Sequence, residues 1–226
     1  MNLYIVIFGV QHLLELIRLG REDHKPVFLQ FSTDEVYGDI EVGAHTETDL
    51  LKPSNPYSAT KACGDMLICA WARTYGLPYL IVRPTNNYGF GQYVEKLIPK
   101  TCKYLQLGRK IPLHDHGTPI RNWLHVADTA QAIITIIESG VTNEIYNIAG
   151  HFEQKNVHTV RQIIDAYHGH DVVNWCDFVE EAHRIGQDVR YAIDDRKLQA
   201  LGWKPEAVFA EELPKIVEYY KERFVW

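Results

Sequence analysis

Two short segments of this chain carry side chains that together could do acid–base and redox chemistry. Residues 32–38 read Ser-Thr-Asp-Glu-Val-Tyr-Gly, and Tyr57 and Lys61 follow with three residues between them. A hydroxyl, two adjacent carboxylates, a phenol and an ammonium are the groups that hydride transfer coupled to proton transfer requires. The residue types therefore indicate an enzyme that moves hydride and protons on one substrate.

Tyr57 and Lys61 are four residues apart, so their side chains share a face if this segment is helical. An ammonium beside the phenol would stabilise the phenolate and lower the tyrosine pKa from its solution value of about 10 toward neutral pH. Such a tyrosine can take a proton from a substrate hydroxyl while hydride leaves the same carbon. A pair at this spacing is also common on helix surfaces, and only its neighbours in the sequence favour the catalytic interpretation.

Alternating helices and strands would place these residues at one edge of a sheet. Residues 27–31 form the continuous apolar run of a buried parallel strand, and residues 33–35 follow its carboxyl end, where open α/β sheets bind ligands. Residues 57–75 predict a helix with two apolar stripes, and residues 84–91 predict a turn-rich loop. The other predicted elements are helices at 11–21, 95–107, 127–139, 160–167 and 213–223, and strands at 80–82, 111–113 and 144–148. The pattern predicts an α/β fold with a parallel sheet.

The composition excludes some classes of partner. The 226 residues are 46% hydrophobic and carry a net charge of −6, so no basic surface is available to neutralise nucleic-acid phosphates. The four cysteines show no C-x-x-C spacing, which favours reduced thiols and a cytoplasmic protein. The apolar run at residues 3–10 is too short to span a bilayer and lacks the flanks of a signal peptide. We therefore expect neither a nucleic acid nor a membrane as partner.

Two histidine-rich segments raise the question of a metal site. They read His-Asp-His at residues 114–116 and His-Gly-His at residues 168–170. Neither has the i, i+4 spacing of ligands on one helix face, and the sequence shows no third ligand, so we expect no metal.

Six blocks of the chain, taken in order, resemble one known family. They are residues 32–38, 55–62, 86–89, 95–99, 121–126 and 190–194, which read S-T-D-E-V-Y-G, N-P-Y-S-A-T-K-A, N-N-Y-G, E-K-L-I-P, R-N-W-L-H-V and R-Y-A-I-D. This series resembles the extended short-chain dehydrogenase/reductase superfamily and, within it, the dTDP-glucose 4,6-dehydratases. The resemblance covers nearly the whole chain from about Gly9 onward. It implies an α/β fold with a truncated doubly wound, Rossmann-like parallel sheet and a smaller C-terminal substrate-binding region.

The resemblance implies NAD-dependent dehydration of a nucleotide-activated hexose, dTDP-glucose, to the 4-keto-6-deoxy sugar. Oxidation at C4 makes the C5 proton acidic, so a base can remove it while an acid protonates the departing C6 hydroxyl, and hydride then returns to C6. The resemblance assigns the base to Glu35, the acid to Asp34 and a hydrogen bond near the C4 oxygen to Thr33. Two solvated loop acids are the alternative interpretation, and an epimerase would need no such pair.

The resemblance also assigns binding residues. For NAD these are Ser32, Tyr57, Lys61 and Asn86. For the dTDP-hexose these are Asn87, Glu95, Lys96, Leu97, Arg121, Asn156 and Arg190. An arginine fork matches the oxygens of a diphosphate, although Arg121 and Arg190 could instead pair with surface acids. Residues 184–188 read Arg-Ile-Gly-Gln-Asp where the family usually has Arg-Pro-Gly-His-Asp, a departure that concerns the local loop shape and the grip on the nucleotide.

The same resemblance leaves the NAD-binding part incomplete. No G-x-G-x-x-G motif precedes Thr33, and the chain is expected to begin inside the helix before the strand at 27–31. The family's glycine-rich turn and ribose-binding acid then have no counterpart, and Val6 and Ile7 stand where relatives tend to carry an asparagine. We expect a fragment of a longer dehydratase, a product that needs a second polypeptide, or a module that binds nucleotide sugars without turnover.

The expected domain organisation follows from this alignment. Residues 1–150 would form a partial Rossmann-like NAD-binding domain, with residues 90–122 contributing to the substrate side, and residues 151–226 would form a nucleotide-sugar-binding region. The two apolar stripes predict a homodimer through helices 11–21 and 57–75. The functional alternatives are another nucleotide-sugar epimerase or decarboxylase of the superfamily, and an inactive sugar-nucleotide-binding fragment.

Overall fold

The computed structural model describes residues 3–20, 25–183, 186 and 188–223. The helices are α1 (Leu3–Leu19), α2 (Pro56–Tyr75), α3 (Leu97–Gln106), α4 (Val126–Glu138), α5 (Asn156–His168), α6 (Arg196–Gln199) and α7 (Phe209–Glu222). The strands are β1 (Phe28–Phe31), β2 (Tyr79–Pro84), β3 (Asn86–Tyr88), β4 (Ile111–His114), β5 (Ile120–His125), β6 (Glu144–Ile148), β7 (Glu153–Lys155) and β8 (Val179–Ala182). No helix within these residues is long and apolar enough to cross a bilayer.

The chain divides into two compact units that interleave along the sequence. Unit 1 comprises Met1–Thr85, Thr129–Ala149 and Tyr191–Lys204, and unit 2 comprises Asn86–Asp128, Gly150–Arg190 and Pro205–Trp226. Each unit thus draws on three separate segments. The expected assignment of NAD binding to residues 1–150 and of nucleotide-sugar binding to residues 151–226 stays a prediction.

Unit 1 is built on a parallel sheet with the strand order β1-β2-β6. The central strand β2 buries Leu80, Ile81 and Val82 in succession, as a parallel strand covered on both faces does. Helices α1 and α2 pack together over a core that includes Leu14 and Ile68. The predicted Rossmann-like α/β fold is confirmed by this architecture, and the strand predicted at 27–31 begins one position later, at Phe28.

Helix α1 begins much earlier than the sequence pattern predicts. It runs from Leu3 rather than from residue 11 and ends at Leu19, while residue 21 lies outside the described residues. The first part of α1 is rich in β-branched and aromatic residues, which have a low helix propensity. Packing outweighs this propensity because Val10 and Leu14 are buried in a core shared with α2.

Helix α2 starts and stops at clear sequence signals. The Asn55 side chain accepts from the Ser58 N–H at 3.0 Å, and the Asn55 N–H donates to Ser58 Oγ at 3.2 Å, which forms a capping box. Gly76 ends the helix in the left-handed conformation, with φ 66°. The predicted helix from 57 to 75 is therefore confirmed. Ile68, in one of its two apolar stripes, is buried, whereas Met66, in the other stripe, is exposed.

Unit 2 contains β4, which confirms the strand predicted at 111–113, and further short strands that the sequence pattern did not reveal. One sheet has the order β3-β5-β7, a second pairs β4 with β8, and helices α3, α5 and α7 enclose a core between them. Strand β3 lies inside the segment predicted to be a loop at 84–91. Strands β3 and β7 have only three residues each, too few for a period-2 pattern to be recognised.

Candidate active site

The turn that carries the two carboxylates directly continues strand β1. The Ser32 N–H donates to the Val82 carbonyl at 2.8 Å, extending the β1–β2 pairing by one residue. Thr33 then caps a short 3-10 helix (Asp34–Tyr37), in which the Glu35 N–H donates to Thr33 Oγ1 at 3.3 Å. The turn closes at Gly38 with φ 83°, a conformation that favours glycine. The structure therefore places residues 33–35 at the carboxyl edge of the sheet, as predicted.

Asp34 and Glu35 lie in unlike surroundings although they are neighbours. Asp34 is 4% exposed and accepts from Thr33 Oγ1 at 3.1 Å. Glu35 is half-buried, and its Oε2 accepts from Asn55 Nδ2 at 3.2 Å and from the Tyr191 hydroxyl at 3.4 Å. Because the Glu35 carboxylate is held between two elements, it does not behave as a free loop acid. Sequence reasoning missed Asn55 and Tyr191 as partners, although both lie in the recognised blocks.

Tyr57 lies in the first turn of α2, within the electrostatic reach of both carboxylates. Burial raises the pKa of Tyr57, and the nearby Glu35 and Asp34 raise it further. The structure thus brings Tyr57 together with Asp34 and Glu35. The expected lowering of the Tyr57 pKa by Lys61 is wrong for this structure, because the negative charges and burial dominate.

Lys61 is engaged with the strand rather than with the phenol. Its Nζ donates to the carbonyl of Phe31, the last residue of β1. Burial lowers the pKa of Lys61, and the Asp65 carboxylate one turn later opposes that shift. Lys61 is therefore positioned at the sheet edge with its charge partly supported by Asp65.

A buried polar network lies beside the turn. Ser32 Oγ donates to Asp65 Oδ2 at 2.9 Å, and Arg83 Nε donates to the same oxygen at 3.0 Å. Arg83 Nη1 donates to the Tyr37 hydroxyl at 2.7 Å, and that hydroxyl donates to Asn147 Oδ1 at 2.9 Å. Sequence reasoning missed Asp65, Arg83, Tyr37 and Asn147. The sequence offered one signal for this network: the charged Arg83 directly follows the apolar run of β2.

Burial and the neighbouring charges shift the pKa values of the groups in this network. Burial raises the pKa of Asp65, and the Arg83 guanidinium and the Ser32 hydroxyl offset only part of the rise. Burial alone would lower the pKa of Arg83, but Tyr37 and Asp65 outweigh it, so this pKa is raised. Burial also raises the pKa of Tyr37 to about 12, so its hydroxyl stays protonated at neutral pH.

In unit 2, three of the predicted substrate-binding residues meet at the beginning of β5. Arg121 lies on β5, the Asn156 N–H donates to the Pro119 carbonyl at 3.0 Å, and Arg190 forms a parallel bridge with Ile120. The Asn156 Oδ1 atom is buried and has no hydrogen-bond partner within the described part of the chain. An acceptor of this kind is available to a ligand.

The two arginines already have protein partners. Arg190 binds Glu153 in a bidentate ion pair, with Nε–Oε2 at 2.9 Å and Nη2–Oε1 at 3.0 Å. Arg121 donates to the backbone carbonyls of Ile120 at 2.7 Å and Asp188 at 3.1 Å. The ion-pair alternative for Arg190 is thus realised, whereas Arg121 is held by backbone oxygens.

The remaining predicted binding residues lie elsewhere in unit 2. Asn86 and Asn87 are on β3, and the buried Nδ2 of Asn86 has no hydrogen-bond partner among residues that the structure describes. Glu95 and Lys96 form an exposed ion pair at 3.7 Å immediately before α3, which begins at Leu97. In the departure at residues 184–188, positions 184, 185 and 187 lie outside the described residues.

Comparisons with known proteins show which family the chain belongs to. A family model described as GDP-mannose 4,6 dehydratase matches residues 3–216. The low-salt glycan biosynthesis protein Agl12 of Haloferax volcanii is 44% identical over 85% of this chain and 61% of its own length, and dTDP-glucose 4,6-dehydratase 1 of Escherichia coli is 42% identical over 88% and 59%.

A solved structure of a dehydratase also matches this chain. The dTDP-glucose 4,6-dehydratase of Bacillus anthracis, in complex with NAD, superimposes with a TM-score of 0.88 and 37% identity, covering 98% of this chain and 69% of that one. The chain spans about three fifths of the length of the curated relatives, at 61% and 59%.

Proposed function

The chain belongs to the GDP-mannose 4,6 dehydratase family, and from that premise we propose that it carries the acid–base residues of a dTDP-glucose 4,6-dehydratase-like lyase. The proposed reaction oxidises C4 of the hexose, eliminates water across C5 and C6, and returns hydride to C6. One observation carries the proposal: Asp34 and Glu35 occupy a single ordered turn and both act electrostatically on Tyr57. An epimerase would have no use for that acid pair.

The proposed cofactor is NAD, and the residues proposed to contact it are Ser32, Tyr57 and Lys61 in unit 1 and Asn86 in unit 2. Within unit 1, Tyr57 is 38% exposed, so a ligand can reach it. Within unit 2, the buried Asn86 Nδ2 is a donor with no hydrogen-bond partner among the described residues. When bound, NAD supplies the acceptor for the C4 hydride and the donor for C6. The Bacillus anthracis relative was solved in complex with NAD, which supports this choice.

Tyr57 is proposed to take the proton of the C4 hydroxyl. Its raised pKa keeps the phenol protonated in this structure, so it must lose a proton before it can act as a base. A positive charge brought closer on binding would lower the pKa again. Lys61, one turn along α2, is the cation that the chain itself can supply if its ammonium leaves the Phe31 carbonyl.

Glu35 is proposed to remove the C5 proton, and Asp34 to protonate the C6 hydroxyl. Asn55 and Tyr191 orient one Glu35 oxygen, so the carboxylate is aimed before the substrate binds. Asp34 is more deeply buried and contacts Thr33, whose hydroxyl is proposed to bind near the C4 oxygen. Unlike surroundings for two neighbouring carboxyl groups are what an acid and a base with separate roles need.

Unit 2 is proposed to bind the nucleotide sugar. Arg121, Asn156 and Arg190 are joined through the first residues of β5, and a guanidinium fork matches diphosphate oxygens. Arg190 would exchange Glu153 for phosphate on binding. The other proposed contacts are Asn87, Glu95, Lys96 and Leu97.

Two further properties are part of the proposal. Exposed apolar side chains on α1 (Leu16 and Leu19) and α2 (Met66) support a homodimer through these helices. The cytoplasmic location stays a prediction from the four cysteines, which are all unpaired thiols.

The test is turnover in deuterated solvent. The purified chain is incubated with NAD and dTDP-glucose, and the product is analysed by NMR. A 4-keto-6-deoxy product with deuterium at C5 is expected, and Tyr57→Phe should lower kcat by about 10²–10⁴-fold. Tyr75→Phe is the matched control, because Tyr75 lies on the same helix with a similar exposure of 44%.

The possible outcomes separate the candidate functions. A product without C5 deuterium would contradict the roles of Glu35 and Asp34. Inversion at C4 without loss of water would indicate an epimerase. Calorimetric binding of dTDP-glucose with no product would indicate a sugar-nucleotide-binding module.

A further inference from the structure

We propose that Asp65 and Arg83 are positioning residues, which hold the turn formed by residues 33–35 in place through hydrogen bonds on both of its sides. The proposal rests on the function proposed above for that turn. Neither residue belongs to the recognised catalytic set, and both act through neighbours.

The geometry of the ion pair supports this role. Ser32 directly precedes the turn, and its hydroxyl binds Asp65 at 2.9 Å. Tyr37 ends the 3-10 helix, and its hydroxyl accepts from Arg83 at 2.7 Å. Asp65 and Arg83 are themselves joined at 3.0 Å, with side chains 2% and 3% exposed. The two ends of the acidic turn therefore converge on one buried ion pair.

The same pair connects the turn to the helix that carries Tyr57 and Lys61. Asp65 lies on α2, one turn after Lys61, so the Ser32–Asp65 hydrogen bond joins α2 to the end of β1. Arg83 extends the connection to β2. The distance between the acidic turn and Tyr57 thus depends on Asp65, because it contacts both elements.

Stability alone does not explain this pair. Replacing a buried ion pair by well-packed apolar residues is often neutral or stabilising, so a purely structural position has little need of one. Apolar side chains could not bind the hydroxyls of Ser32 and Tyr37. The Tyr37 hydroxyl also donates to Asn147 Oδ1. Asn147 is itself held in place, because its Nδ2 donates to the carbonyls of His45 at 3.1 Å and Asp194 at 3.0 Å.

The first test measures the order of the turn without any requirement for turnover. Tyr37→Phe removes the hydroxyl that Arg83 binds, and Tyr79→Phe is the control in the same unit, since the Tyr79 hydroxyl makes a long contact of 3.9 Å with Cys69 Sγ. Native-state hydrogen exchange is followed at the Val36 and Gly38 amides, which donate within the turn.

The expected result is specific to the turn. Tyr37→Phe should accelerate exchange at these two amides by at least about tenfold relative to the amides of β2, since a hydrogen bond to a charged group is lost. Tyr79→Phe should leave the ratio unchanged. If Tyr37→Phe changes the turn and β2 amides equally, the positioning role is refuted.

The second test uses turnover and separates this inference from the proposed function. Tyr37→Phe should lower kcat by about tenfold with little change in KM, because the substrate contacts remain while the acid–base groups are misplaced. An unchanged kcat would refute the positioning role. If the unaltered chain forms no product, the proposed function fails, and the exchange experiment alone decides whether Arg83 positions the turn through Tyr37.

Discussion

Replacing Arg83 by methionine is the perturbation for which the structure sets the clearest magnitude. The Arg83 Nε and Asp65 Oδ2 atoms are 3.0 Å apart, and the two side chains are 3% and 2% exposed. Methionine approximates the volume of the arginine stem but leaves the Asp65 carboxylate buried without its cation. Breaking a buried pair from one side costs about 3–5 kcal/mol, which is a large part of the roughly 5–15 kcal/mol that stabilises a typical domain.

The loss should depend on pH in a defined direction. Burial already raises the pKa of Asp65, and the variant removes the guanidinium that opposes this rise. A carboxyl group whose pKa is higher in the folded than in the unfolded state destabilises the fold above that folded pKa. The penalty is relieved as the pH falls toward the unfolded value of about 3.9. The loss in the free energy of unfolding caused by Arg83→Met should therefore be largest near about pH 8 and decrease toward about pH 5.

Urea unfolding monitored by tryptophan fluorescence across that pH range measures the effect. The control is the double variant Asp65→Asn with Arg83→Met, which removes both charges of the buried pair. It should be more stable than Arg83→Met alone at the upper end of the range. A deficit below about 1 kcal/mol, or one that is the same at every pH, would refute the reasoning from burial and pairing.

Four other substitutions probe three separate features. Asn55→Ala removes the α2 cap and a donor to Glu35, so thermal denaturation should show a loss of about 1 kcal/mol, and a loss of turnover without any loss of stability would contradict the cap. Gly150→Ala places a Cβ against the backbone of β5 and should cost about 3 kcal/mol. Gly9→Ala should instead stabilise the protein by about 0.5–1 kcal/mol by calorimetry, because, apart from the backbone of α1 itself, no atom of the described residues lies within 4 Å of the added Cβ. Equal effects would refute the packing argument. Met66→Glu should convert a dimer to a monomer in sedimentation velocity without unfolding it, and an unchanged dimer would exclude this surface of α2.

Much of the secondary structure of unit 1 could be predicted from local signals in the sequence. Helix α2 is bounded by a capping box at Asn55 and by Gly76, so both ends could be read from neighbouring residues. The apolar run of β1 and the polar residues after it placed Thr33 at the end of a strand. Helix α1 was predicted too short because its first residues have low helix propensity, whereas Val10 and Leu14 further along the helix are fixed by a core shared with α2.

The strands of unit 2 could not be read in the same way. Strand β7 has three residues, and its place is set by antiparallel pairing with β5. Strand β8 pairs with β4 from a distant part of the chain. Strand β4 was predicted at 111–113 from its own residues, whereas β8 was not predicted. A short strand of this kind is stable only in the presence of its partner, so its position is set by pairing.

The sequence by itself determined the set of chemical groups, since the types and order of Thr33, Asp34, Glu35, Tyr57 and Lys61 are local properties of the chain. The tertiary structure alone decided how those groups are tuned. Glu35 is held by Tyr191, 156 residues away, and the Tyr57 pKa rises rather than falls because burial and two carboxylates act on it. Burial and long-range charge depend on which elements pack together, and sequence spacing does not contain that information.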